Sequence, residues 1–212
     1  MPASTWTAAG YSPHMRGRIL IATALLGAGG LLVGCASVPG DSTPSSQSPP
    51  DSSGSSGFTV TSPAFSAGAP IPLEYATVAA GGRNLSVPLE WRLAPPGTRS
   101  FAVEVVDLHP VAHGWLHWLV IDIPPSSSGL PGGASGQSMP AGAHELANTA
   151  GRAGWGGPQP PVGSGAHVYR FTVFALDTAS LPLSARASLD EFQNAARQHV
   201  LASATVTGTF ER

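Results

Sequence analysis

The segment Asp107-Leu-His-Pro-Val-Ala-His-Gly-Trp-Leu-His-Trp118 sets three histidines four residues apart behind one aspartate, in a 212-residue chain with only 7 His and 10% charged residues. Imidazoles beside a carboxylate can ligate a metal, relay a proton or present N–H groups to an anion. On a helix His109, His113 and His117 would stack on one face, but Pro110 and Gly114 argue against a helix there. On a continuous strand, side chains four apart stand about 13 Å from one another, too far for a single ion. No metal site and no cofactor is expected, and the carboxylate-rich loop of a hard cation is also missing. Nucleophilic catalysis finds little support, since Gly163-Ser164-Gly165 is not the Gly-x-Ser-x-Gly elbow. A hydrolase built from Ser86, His117 or His167, and Asp107 stays open, because such triads assemble in space.

The elements that must position these residues read as strands. In Ser100-Phe-Ala-Val-Glu-Val-Val-Asp107 the residues Phe101, Val103, Val105 and Asp107 share one face, so an apolar row ends in a carboxylate. Trp115 to Ile123 is nearly continuously apolar, as in a strand covered on both sides, and Pro124-Pro125 ends it. In His167 to Asp177 the residues His167, Tyr169, Phe171, Val173 and Ala175 point one way, which puts two polar groups at the head of a core-facing row. Polar groups at the ends of neighbouring buried strands can meet at one mouth of a fold. Before that mouth, Gly151-Arg-Ala-Gly-Trp-Gly-Gly-Pro-Gln-Pro-Pro161 offers close backbone approach and rigid turns, able to aim amides at an anion. The alternative is that each histidine is a satisfied core residue and the loop mere surface.

With 26 Gly and 21 Pro, extended segments and loops should outweigh long helices. Phe58-Thr-Val-Thr-Ser62 and Leu89-Glu-Trp91 read as short strands, and Leu201 to Phe210 as a last one. Ser188-Leu-Asp-Glu191 is a capping box opening a helix from Leu189 to about His199, with Leu189, Phe192, Ala196 and Val200 on its buried side. Residues 124–166 are long and irregular. The expected architecture is mainly β, a two-sheet β-sandwich with one or two short helices, in a single domain over residues 58–212.

Arg16 and Arg18 precede the apolar run Ile19 to Val33, a signal-peptide core too short to span a bilayer as a helix. Leu32-Val33-Gly34-Cys35 resembles the lipobox of bacterial lipoproteins, which makes Cys35, the sole cysteine, the expected lipidation site. The alternatives are an uncleaved anchor or an ordinary secretory signal with an incidental cysteine, and Met15 is an alternative start. Residues 36–57, rich in Ser, Pro and Gly, form a tether with a root-mean-square reach of about 25 Å. The expected place is the extracytoplasmic face of the cell membrane, held by lipid. The net charge of -2 and the absence of a basic cluster leave no electrostatic footprint for nucleic acid.

Across Phe58 to Arg212 the chain resembles the phosphatidylethanolamine-binding protein family, which includes the Raf kinase inhibitor proteins, and its bacterial branch in particular. The resemblance rests on Thr61-Ser-Pro-Ala-Phe65, Asn84-Leu-Ser-Val-Pro-Leu-Glu-Trp91, Trp115-Leu-His-Trp-Leu-Val-Ile-Asp-Ile-Pro124, Gly151 to Pro161, Gly165-Ala-His-Val-Tyr-Arg-Phe-Thr-Val-Phe-Ala-Leu-Asp177 and His199 to Arg212. It implies a β-sandwich with a small pocket for phosphate, phospholipid headgroups or other anions, without catalysis. The family's pocket aspartate falls on Asp107, its strand histidine on His117, its loop Gly and Pro-Pro on Gly157, Pro160 and Pro161, and its His-x-Tyr pair on His167 and Tyr169. The chain departs from the family at Leu108 and His109, which replace a proline and a second aspartate, and at Asn84, which replaces an acid. Losing a carboxylate and gaining an imidazole at His109 should strengthen anion binding below about pH 6.5, the ordinary histidine value. A protein-interaction or inhibitor module is the remaining alternative; neither a protein partner nor the natural ligand is legible.

Overall fold

The strand alternation read above becomes a sheet buried on both faces. The computed structural model describes residues 57–212; the signal peptide, Cys35 and residues 36–56 of the tether lie outside the described residues. Within them, β1 (Thr59–Thr61), β2 (Leu89–Arg92) and β5 (Gly129–Leu130) form one antiparallel sheet in the order β1-β2-β5. The second runs β6-β4-β3-β7-β8, from β3 (Ser100–Asp107), β4 (Leu116–Ile123), β6 (His144–Glu145), β7 (His167–Leu176) and β8 (Val200–Phe210), with every pairing antiparallel.

Period-two alternation sorts the large sheet's side chains onto two cores. Phe101, Val103 and Val105 join Trp118, Val120, Phe171 and Val173, and face Val60, Leu89 and Trp91 of the small sheet. The opposite face, with Ala102, Val106, Leu119, Ile121 and Leu176, is covered by Phe192 and Ala196 of α1 (Leu189–Ala196). Phe192 meets Phe174 edge to face at 5.6 Å. The layers are therefore small sheet, large sheet and helix.

The capping box forms, with Ser188 Oγ accepting from the Glu191 amide and the Glu191 carboxylate accepting from the Ser188 amide. The helix is shorter than expected and stops at Ala196. The His199 amide donates back to the Ala196 carbonyl, closing a tight final turn, and the His199 ring is drawn to the Asp177 carboxylate at 2.8 Å. Val200 consequently opens β8 and is exposed instead of packing under the helix.

Residues 124–166 are tied down by one carboxylate. Glu145 Oε1 accepts from Trp118 Nε1 at 2.7 Å and from Ser135 Oγ at 2.5 Å, and Oε2 accepts from the Gly136 amide at 2.8 Å. Ser135 Oγ in turn accepts from the Trp155 amide. Leu130, Ala134, Leu146 and Trp155 are buried along the segment, so it serves as a wall of the core.

Candidate functional site

At one end of the inter-sheet core the apolar rows turn polar. Asp107, the last residue of β3, pairs across the sheet with Tyr169, and His167 opens β7 two residues earlier. Asp107 Oδ2 accepts from His167 Nδ1 at 2.6 Å, and Oδ1 accepts from the His109 amide at 2.8 Å. Both side chains are almost sealed, His167 at 1% and Asp107 at 4% exposure. Two hydrogen bonds to a buried carboxylate satisfy its charge locally and fix the imidazole's orientation.

His117 reaches the same place through an irregularity in the sheet. Val105 pairs with Trp118 and Val106 with Leu116, so His117 is an additional residue on β4. Such a bulge re-aims a side chain, and here His117 and Trp118 both contact Trp155 on the inter-sheet side. Gly156 brackets the residue: its amide donates to the His117 carbonyl at 2.9 Å, and its carbonyl accepts from His117 Nδ1 at 2.5 Å. Burial lowers the His117 pKa below the ordinary histidine range, against the opposing pull of the Gly156 carbonyl and the Asp107 charge. The ring is thus neutral at pH 7, with its proton on Nδ1 and Nε2 left as an acceptor.

Tyr169 lies between the imidazoles, with His117 edge-on at 5.1 Å and His167 at 6.4 Å. It is fully buried, and its hydroxyl meets no partner in hydrogen-bond geometry, although the Asp107 carboxylate stands near enough to act on it. Burial, and secondarily the Asp107 charge, holds the phenol well above its ordinary pKa, so it stays a protonated donor. His109, half-buried, stacks on His167 with centroids 3.9 Å apart and planes at 13°. Its Nδ1 caps the short 3-10 turn Pro110–Ala112 by accepting from the Val111 amide at 3.4 Å.

Asp107, His109, His117, His167 and Tyr169 therefore converge. The loop residues serve differently from expectation. Gly157 supplies close approach, since a Cβ there would fall 2.3 Å from the Tyr75 carbonyl oxygen. Its amide, expected to face an anion, is instead consumed by Asn84 Oδ1 at 2.8 Å. Pro160 is buried and Pro161 exposed; the Pro161 carbonyl accepts from both the amide and the hydroxyl of Ser164. Ser86, the serine considered for a hydrolase, is buried and accepts from the Ser135 amide, with no imidazole beside it. The serine that does reach an imidazole is Ser164, 2.9 Å from His167 Nε2. Its one signal in the sequence was its place three residues before His167 between two glycines. His113 is exposed. Among the described residues no group of three or more His, Cys, Asp or Glu is placed to hold a metal ion. Two open clefts run elsewhere, one along Leu89–Arg92 and Ser126–Pro131, the other between Leu116, Thr149 and Arg186.

Residues 61–211 match the family profile described as Phosphatidylethanolamine-binding protein. The chain is 39% identical over 154 residues to the Mycobacterium tuberculosis protein named "Putative lipoprotein LppC", covering 73% of this chain and 72% of that one. It is 38% identical over 134 residues to Escherichia coli YbcL, covering 61% and 73% respectively. The crystal structure of E. coli YbcL, described as a new member of the mammalian PEBP family, matches with a TM-score of 0.69 at 35% identity, over 73% of this chain and 98% of that chain. A two-sheet sandwich with its polar residues gathered at one end of the core, a profile match across that whole sandwich and relatives of this identity lead to one conclusion: the chain belongs to the phosphatidylethanolamine-binding protein family.

Proposed function

We propose that this protein is a ligand-binding protein whose site takes a small oxyanion, either free phosphate or the phosphate of a phospholipid headgroup, at Tyr169 and His117, with the His167 ring as a wall of the site. The observation that carries this reading is the Tyr169 hydroxyl, buried without a partner beside two imidazoles. An unpaired buried donor costs about 1–3 kcal/mol, which an incoming oxygen would recover. Asp107 is occupied by His167 and His109, so it orients the imidazole and does not meet the guest directly. The near-complete burial of the rings favours a compact ligand, entering as single oxygens. Binding of this kind makes and breaks no bond, and the site is read as non-catalytic toward the anion it holds.

The proposed setting is the extracytoplasmic face of a membrane. A lipidated Cys35 would hold the chain there, with residues 36–57 as the tether; the lipoprotein name of the M. tuberculosis relative supports this. Acyl anchoring needs more than one chain to be stable. Cys35→Ser should therefore move the full-length protein from the membrane to the soluble fraction.

Calorimetric titration of wild type and Tyr169→Phe with inorganic phosphate, and separately with phosphoethanolamine, tests the site. Loss of one hydrogen bond to a charged group should weaken binding roughly ten- to a hundredfold, while the fold keeps or gains stability because a buried unpaired donor has been removed. Equal affinities in the two proteins, or no binding of either probe to wild type, would refute the assignment.

A further inference from the structure

Ser164, His167 and Asp107 form a hydrogen-bonded series that anion binding does not require. Ser164 Oγ stands 2.9 Å from His167 Nε2, and His167 Nδ1 stands 2.6 Å from Asp107 Oδ2. The remaining Asp107 oxygen is pinned by the His109 amide, and the His167 ring is clamped by the His109 stack at 3.9 Å. This is the order nucleophile, base and orienting acid, with hydrogen-bond reach at both junctions. The geometry points to Ser164 as a nucleophile that takes the acyl group of short-chain carboxylic esters, with His167 as general base and Asp107 as the group that orients the ring.

The local backbone supports this. Ser164 projects from a turn between Gly163 and Gly165, both left-handed at φ 80° and 82°, a conformation that suits glycine. The turn is held by the Gly163 amide donating to the Arg212 carbonyl at 3.1 Å and the Ser164 amide donating to the Pro161 carbonyl at 3.2 Å. Ser164 is half-exposed beside Val162, which is 76% exposed, so an ester can approach while the histidine behind it stays buried. The Gly165 amide, next in the chain after the nucleophile, makes no hydrogen bond among the described residues. An amide at this position can serve a developing oxyanion.

The single hydroxyl proton of Ser164 has two acceptors in reach, the Pro161 carbonyl at 2.7 Å and His167 Nε2. When it points to Pro161, Nε2 must itself be the donor. When it points to a neutral His167, with Nδ1–H on Asp107, Oγ is polarised for attack. From that state Oγ adds to the ester carbonyl and its proton passes to Nε2. The tetrahedral oxygen turns to the Gly165 amide, the bond to the alcohol oxygen breaks, and Nε2 returns the proton to the departing alcohol. The products are acyl-Ser164 and the free alcohol, with no redox partner or cofactor needed.

The test treats the full-length protein with p-nitrophenyl acetate and follows nitrophenolate release together with the acetylated peptide by mass spectrometry. The chain contains no lysine, so no ε-amine competes for the acetyl group. One acetyl group on Ser164, with a matching burst of nitrophenolate, is expected. His167→Gln and Asp107→Asn should each slow the burst about 10²- to 10⁴-fold, the worth of a positioned base. Ser164→Ala should abolish it while leaving thermal unfolding unchanged, and Ser164→Cys should restore it. A hydroxyl that merely closes its turn would acetylate no faster than other exposed serines and would ignore His167. Absence of acetyl-Ser164 in wild type, or an unchanged rate in both His167→Gln and Asp107→Asn, overturns the proposal. Acetylation of Ser164 in a protein that fails to bind phosphate would sink the anion-site reading alone, and phosphate binding without acetylation would sink this one alone.

Discussion

Acidifying the ligand-free protein below neutrality should destabilise it through His117. The ring is 5% exposed, donates Nδ1–H to the Gly156 carbonyl, and is held below the ordinary histidine pKa chiefly by burial. Below about pH 6.5 the unfolded chain's His117 binds a proton that the folded chain's does not. The unfolded state therefore binds more protons in that window, and stability rises with pH, by up to about 1.4 kcal/mol per pH unit while the difference is one whole proton. The loss begins near the ordinary value and continues until pH reaches the lowered folded value. His117→Asn isolates the effect, since an amide nitrogen can stand near the Nδ1 position, keep the bond to Gly156, and not titrate. Other histidines contribute equally to both curves. Urea unfolding at several pH values between 7 and 5 should show the wild type falling more steeply than His117→Asn. Saturating phosphate should flatten the wild-type slope, because a bound anion favours the protonated ring, and should add about 2.7 kcal/mol at a hundred times its dissociation constant. Parallel curves for the two proteins without ligand would refute the claim that His117 is buried in its neutral form.

Gly157→Ala should cost about 1–3 kcal/mol in denaturant unfolding, because its Cβ would meet the Tyr75 oxygen at 2.3 Å and the Ala76 carbonyl carbon at 2.7 Å, both backbone atoms; a change within experimental error would show that the approach is not tight. Phe192→Ala should cost about 3–5 kcal/mol in the same assay by uncovering the outer face of the large sheet. His109→Ala should weaken phosphate binding, since it removes an imidazole stacked 3.9 Å from His167; an unchanged affinity would remove His109 from the site. With Nε2 of the neutral His117 as acceptor and the Tyr169 hydroxyl as donor, phosphate in its monoprotonated or diprotonated form should bind more tightly than sulfate at pH 7 by calorimetry, and equal affinity would count against that pairing.

Legibility in the sequence followed the range of the interactions. The rows ending in Asp107 and His167-x-Tyr169 were readable because period two is local, and a polar residue closing an apolar row is visible without partners. The bulge at His117 was not, because it is a property of how β4 pairs with β3: nothing in Leu116-His-Trp118 says that Val105 and Val106 will skip a residue. Two-residue strands such as β5 and β6 carry no period to detect. The expected loop amide at Gly157 failed through Asn84, a residue 73 positions away. There the departure from the family's acid has a use, since the Asn84 side chain accepts from the Gly157 amide and also donates to the Trp155 carbonyl at 3.4 Å, which an ionised carboxylate could not do.

The two imidazoles differ in the fold because of what each one's Nδ1 meets. His117 meets a carbonyl, which offers a dipole, and it is buried away from bulk water, so the arrangement holds it neutral. His167 meets the Asp107 carboxylate, which fixes the orientation of the ring. One histidine is thereby kept as a neutral acceptor at Nε2. The other is kept oriented, with Nε2 turned outward to Ser164. A single carboxylate suffices for this division because the residue that would have carried a second one, position 109, contributes its amide to the first and its ring to the stack. Replacing an acid with His109 therefore removes a charge from the site while leaving the backbone bond to Asp107 in place.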